Sequence, residues 1–162
     1  MTGWATTGGE VTVPDAIKLA QRVEFWRDRL VPLGLTHWRI ERVSVVAETP
    51  NGQSANASVQ PSHTYDSVFF WFKEEFLQEA SKRQVDETII HEWMHVLMRD
   101  LDQAVEAVED ELSPASERQW AERIGHEREG LVDRLARTIY LLYVSDANAS
   151  KTALGRLARS SE

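Results

Sequence analysis

The strongest constraint on this chain is a pentapeptide near its middle, His91-Glu92-Trp93-Met94-His95. It stands in a stretch whose apolar residues recur at helical spacing, after a capping-box sequence, Ser81-x-x-Gln84. On a helix, side chains four residues apart lie one above the other, so both imidazoles can bind the same metal ion. Glu92 then lies beside that ion, where a carboxylate can act as general base for a metal-activated water. The pattern predicts a zinc hydrolase with one Zn²⁺ per chain.

Composition limits the possible folds and partners. A chain of 162 residues, 42% of them hydrophobic, is enough for one domain, which we place at 1–162. The absence of cysteine excludes disulfides, thiolate metal sites and cysteine nucleophiles. The net charge of -8 argues against nucleic acid or an anionic membrane as partner. With no signal peptide or membrane span recognised, a cytoplasmic location is expected, in the host cytoplasm if a phage encodes the protein. Nothing indicates the oligomeric state.

The order of the predicted elements indicates an α+β fold: an N-terminal helix, three strands, the HExxH helix and a long C-terminal helix. The first helix begins at Pro14 and ends before Pro32 and Gly34. The strands are expected to form a three-stranded, mainly antiparallel sheet with the connectivity of a meander, in which consecutive strands pair. The predicted strands lie at 36–48, 55–60 and 67–72, the last helix at 116–144, and flexible ends at 1–11 and about 146–162.

A catalytic zinc usually takes three protein ligands and leaves one position for water, so the two histidines need a third partner. In one class of zinc sites the third ligand is a histidine that follows a glycine turn. Here Met98 stands at the glycine position and Leu101 at the histidine position, so this class is excluded. Peptide deformylases use a cysteine, which this chain lacks. The third ligand is therefore expected from another element.

The last predicted helix carries several suitable side chains. Glu129 shares a stripe with Val132 and Ala136 at the border of the apolar face, so it can face a metal while its neighbours pack. We predict Glu129 as the third ligand. The alternatives that stay open are Glu122, His126 and Glu127.

Asp133 follows Glu129 by four residues, on the same face of the helix. A histidine ligand commonly donates its second N–H to a carboxylate, which fixes its tautomer. We predict that Asp133 has this role for one of the two histidines. The alternative is a surface ion pair between Asp133 and Arg137.

Together, His91-Glu92-x-x-His95 and the downstream Glu129-x-x-x-Asp133 resemble the motif of gluzincin-type zincin metallopeptidases. The chain is most similar to the small, single-domain, predicted metallopeptidases of phages and bacteria. In these, a stretch similar to Trp38-x-Ile40 precedes the motif and a helix similar to 132–137 follows it. The resemblance covers about residues 30 to 143 and implies a zincin-like fold.

The predicted function is zinc-dependent hydrolysis of peptide bonds, with Glu92 as general base. The peptide or protein substrate is expected to pair with strand 67–72, taken as the sheet edge. Candidate donors to the tetrahedral oxyanion are Tyr65, His63, Tyr140 and Tyr143. One alternative is a catalytically silent zincin-like module that binds a protein around a structural zinc. Another is a metal-dependent hydrolase of a non-peptide amide.

Overall fold

The computed structural model describes residues 13–52, 54–62, 65–109 and 114–159. The segment 1–11, predicted to be flexible, lies outside the described residues. The α+β class is confirmed, with a helix before a three-stranded sheet and two long helices after it. The elements in chain order are α1 (Val13–Leu30), β1 (Arg39–Val46), β2 (Ala57–Ser62), β3 (Ser67–Lys73), the short α2 (Glu74–Glu79), α3 (Lys82–Glu109) and α4 (Pro114–Arg159).

The strands do not form a meander. Their order is β1-β3-β2, with β1 parallel and β2 antiparallel to β3. The predicted edge strand, 67–72, is therefore the centre of the sheet, and its role as the substrate-pairing edge is wrong. The apolar composition of this strand suits a central position, where β1 and β2 pair with it on its two sides and Val68, Phe70 and Phe72 are fully buried.

β2 is an edge strand, and it contains Pro61. The N–H of Lys73 donates to the carbonyl of Asn56. In an antiparallel pair only every second residue of a strand bonds to its partner, so, counting from Asn56, alternate residues of β2 direct their backbone groups at β3. Ala57, Val59 and Pro61 consequently direct their backbone groups away from β3. Proline suits such a position because it has no N–H to give to a neighbouring strand.

The motif helix α3 is the central element of the core. It packs against α1, β2 and α4. Trp93, within the pentapeptide, is fully buried, with its ring centroid 4.9 Å from that of Phe70 and its indole N–H donating to the carbonyl of Val23. The residues between the two histidines therefore hold α3 against α1 and β3, which leaves the histidine face directed the other way.

The capping box predicted at Ser81 is present. The backbone N–H of Gln84 donates to the Ser81 hydroxyl, and the Gln84 side-chain oxygen accepts from the backbone N–H of Ser81 at 2.9 Å. This reciprocal cap satisfies two helix-end donors and fixes where α3 begins. It therefore sets the rotational position of the histidines ten and fourteen residues later.

The last helix is longer than predicted. α4 begins at Pro114 and continues to Arg159, past the expected end at Val144. Its final part contains several alanines and leucines with arginine and lysine, all good helix formers, so the helical propensity of this segment continues beyond residue 144. No helix among the described residues is both long and apolar enough to cross a membrane.

Candidate metal centre

α3 and α4 together form a group of three potential metal ligands. His91 and His95 lie four residues apart on α3, and Glu129 comes from α4. One donor atom of each lies within 4.8 Å of the others, and this group could hold a metal ion. We call these three residues the metal group. The histidines are half-buried, whereas the Glu129 side chain is 49% exposed, so the group opens to solvent on the α4 side.

The spacing of the donor atoms fits a small tetrahedral ion. The two Nε2 atoms of His91 and His95 are 3.0 Å apart, and they lie 3.4 and 3.6 Å from the Glu129 carboxylate oxygens. Ligands bound to zinc at about 2.0–2.2 Å in a tetrahedron lie roughly 3.3–3.5 Å from one another. Three acceptor atoms turned toward one point repel each other unless a cation or proton separates them. The donor set therefore fits a divalent cation.

Asp133 lies behind the metal group. Its Oδ1 is 2.9 Å from Nδ1 of His91, so the carboxylate can accept the Nδ1 proton. This hydrogen bond leaves the Nε2 lone pair of His91 free to bind a metal and holds the ring in place. The structure thus brings the predicted partner into contact with one ligand, rather than with Arg137.

Glu92 lies at the floor of the site and is 6% exposed. Burial raises the pKa of its carboxyl group to about 8, the negative charge of Glu129 adds to this effect, and the backbone N–H of Val59 opposes it. The Val59 N–H is one of those directed away from β3. The β2 edge therefore contributes the hydrogen-bond donor that orients the candidate base.

These residues line a cavity of about 850 Å³, which we call the cleft. One wall is the β2 edge and the approach to it, and the other walls are α3 and α4. Its size suits a few residues of an extended peptide, and the metal group lies within it. Besides the metal group, Glu92 and Asp133, the lining includes Asn56, Ala57, Val59, Pro61, Phe76, Gln84, Glu87, Thr88, Arg99, Gln103, Arg128 and Arg137.

The three tyrosines predicted as oxyanion donors are not among the described residues that line the cleft. Tyr65 is 70% exposed, beside the start of β3. Tyr140 and Tyr143 pack on Trp26 of α1, with ring centroids 6.2 and 5.0 Å from it. Their apolar surroundings on α1 explain the position. His63 lies outside the described residues.

The other ligands left open on α4 are exposed. Glu122, His126 and Glu127 belong to no metal-binding group found among the described residues. Glu129 faces α3 because Val132 and Ala136, on the same stripe, are buried against it.

The lining residues that sequence reasoning missed include Val59, Arg99 and Arg128. A usable signal existed for Arg99, because it continues the four-residue spacing of His91 and His95 along α3. A signal for the β2 edge existed too, since Pro61 in a strand marks an edge. Comparison of the chain with models of protein families, with curated proteins and with solved structures gives no match to any of them.

Proposed function

We propose that this protein is a zinc-dependent metallopeptidase. The observation that carries the proposal is the convergence of His91, His95 and Glu129, with a buried carboxylate, Glu92, directly beside them. A purely structural zinc site is normally closed by four protein ligands and has no use for a neighbouring base. A three-ligand group at the wall of an open cleft has the composition of a catalytic site instead.

In this proposal Glu92 accepts a proton from the attacking water and passes it to the departing amine. Zinc, when bound, supplies the Lewis acidity that activates water and polarises the substrate carbonyl near neutral pH. Asp133 holds His91 in the ligating tautomer. The N–H of Val59 keeps the Glu92 carboxylate turned toward the metal group.

The substrate strand is assigned to the β2 edge, in place of strand 67–72. Ala57, Val59 and Pro61 line the cleft, and their outward carbonyls can accept hydrogen bonds from an extended peptide. Such a peptide would lie between β2 and the metal group. This arrangement favours peptide hydrolysis over hydrolysis of a small amide, which would leave the strand edge unused.

Metal content and proteolysis test the proposal. Elemental analysis is expected to find one zinc per chain in wild type, E122A and E127A, and to find its loss in H91A and E129A. Digestion of unfolded proteins by the E92Q variant is expected to fall by about 10²- to 10⁴-fold, with zinc retained. Full activity in E92Q would exclude Glu92 as the base. Stoichiometric zinc without any peptide cleavage would favour a protein-binding module.

A further inference from the structure

The row of side chains that supplies two metal ligands continues along α3. His91, His95, Arg99 and Gln103 follow one another at intervals of four residues, and all four line the cleft. Arg99 therefore lies one helical turn beyond His95. The cleft has a basic side chain next to its metal group on this side.

Arg128 of α4 lies on the same side. Its Nη2 is 3.7 Å from Oε1 of Glu129, and that same oxygen is 3.6 Å from Nε2 of His95. Asp133, further along α4, contacts His91 instead, so increasing residue number on α4 runs toward the start of α3. Arg128 accordingly belongs to the part of the cleft that contains Arg99. We call this part, lined by Arg99, Gln103 and Arg128, the arginine end.

The position of Arg99 is fixed by an aromatic ring. Its guanidinium carbon is 5.4 Å from the ring centroid of Trp38, which is only 7% exposed. A cation over a tryptophan face is attracted by the ring quadrupole, and the contact limits the freedom of the side chain. A pre-positioned guanidinium loses less entropy when it binds a carboxylate than a freely moving one.

Charge differs between the two ends of the cleft. Glu87 and Asp133 line the opposite end, together with Arg137. Among the described lining residues, the arginine end has two guanidinium groups, and Glu129, whose carboxylate belongs to the metal group, is the acidic residue in contact with one of them. A cation bound there neutralises Glu129, so this end attracts anions although the whole chain carries a net charge of -8.

We propose that the arginine end is a subsite for a substrate carboxylate, bound by Arg99 and Arg128. The inference rests on the proposed peptidase function and assigns its substrate class: peptides with a negative charge near the scissile bond. Guanidinium groups bind carboxylates through paired, charge-assisted hydrogen bonds. The carboxylate can belong to an Asp or Glu side chain or to a free peptide C-terminus.

Paired peptides test the subsite. Cleavage sites in a mixture of unfolded proteins, located by mass spectrometry, define the position of an acidic residue relative to the cut. Fluorogenic peptides with Asp or Asn at that position, each with a free or amidated C-terminus, are then compared. We expect kcat/KM to be about 10- to 100-fold higher with the carboxylate, as befits hydrogen bonds between charged partners. The Asp–Asn and acid–amide comparisons distinguish the two sources of the carboxylate.

Variants then assign the preference to the two arginines. R99Q and R128Q are each expected to reduce the preference for the carboxylate to less than about threefold, with R99K and R128K between them and wild type. R123Q, at an exposed site on α4 outside the cleft lining, is the matched control and is expected to keep the full preference. Zinc content is measured in every variant. Equal losses on charged and neutral peptides in R128Q would overturn the subsite and would place Arg128 at the reacting carbonyl.

Binding separates a failure of the subsite from a failure of the proposed function. Fluorescence anisotropy of the labelled peptides with zinc-loaded E92Q reports recognition without turnover. Preferential binding of the acidic peptides with no cleavage by wild type would exclude the peptidase and leave the subsite standing. Cleavage without any preference for a carboxylate, in binding or in kcat/KM, would exclude the subsite and leave the peptidase.

Discussion

Two buried carboxylates lie six residues apart on α3 and have opposite surroundings. Asp86 is 2% exposed, accepts two hydrogen bonds from Arg22, and accepts a third from the indole N–H of Trp26 at 2.9 Å. Glu92 is 6% exposed and has a backbone N–H on one side and the like charge of Glu129 on the other. The first carboxylate is compensated within the fold and ties α3 to α1. At the second, burial and the charge of Glu129 outweigh the backbone donor, so the pKa of the carboxyl group is raised.

The difference separates the face of α3 that is tied to α1 from the face that carries the candidate metal group. Burying a charge is costly unless partners satisfy it, and strongly perturbed carboxyl groups are concentrated at functional sites. Substitutions at the two carboxylates should therefore have effects of opposite sign on stability.

The largest effect is expected for D86N. The change removes the charge partner of Arg22, whose side chain is only 20% exposed, and a broken buried ion pair costs about 3–5 kcal/mol. Urea denaturation measures the loss, and D28N, in the exposed Arg27–Asp28 pair, is the control with about 0.5 kcal/mol or less. Zinc affinity of folded D86N should equal that of wild type. A loss below about 1 kcal/mol would contradict the structural role of Asp86.

E92Q should stabilise the zinc-free protein. In the native state the pKa of Glu92 is raised to about 8 from its ordinary value of 4.5, so between these pH values the native state binds more protons than the unfolded chain. The free energy of unfolding of wild type therefore falls as pH rises through this window. That of E92Q does not fall in this way, because glutamine does not titrate. The resulting gain in the free energy of unfolding of E92Q over wild type at pH 7 is on the order of 3 kcal/mol.

Denaturation of both proteins from pH 5 to pH 9, with a chelator present, measures this difference. The stability gap between E92Q and wild type should widen with pH and shrink when zinc is added, because a cation offsets the charges of Glu92 and Glu129. A constant gap across the pH range would show that the Glu92 charge is not the source of the cost.

The fold and the site could be predicted from the sequence to different extents. Helical periodicity and the capping box are local, so they located α3 and placed Glu129 on the face that the structure turns toward His95. Strand order is not local, because β3 becomes central only when β1 and β2 pair on its two sides. The tyrosines were misplaced for the same reason, since Tyr140 and Tyr143 pack on α1, an element far away in sequence.

Zinc itself should stabilise the wild-type protein by binding to the metal group. A ligand that binds only the native state at 100 times its Kd adds about 2.7 kcal/mol to the free energy of unfolding. Thermal denaturation at a series of free zinc concentrations measures the gain. E129A, which removes one of the three donors, should lose most of the zinc-induced shift in Tm. An unchanged shift in E129A would exclude Glu129 as a ligand.

The smallest effect is expected at Asp133. Its carboxylate contacts His91 and is not one of the metal group. The D133N variant should therefore still bind zinc, but with lower affinity than wild type. Loss of such a supporting hydrogen bond costs about 10- to 100-fold in metal affinity. The Asp133 side chain is 54% exposed, and water can replace part of the lost contact, so the lower end, about tenfold, applies. Competition with a fluorescent chelator measures the change, with E127Q, an exposed residue on the same helix, as control. A zinc affinity equal to that of wild type would show that Asp133 is a surface charge without influence on the metal group.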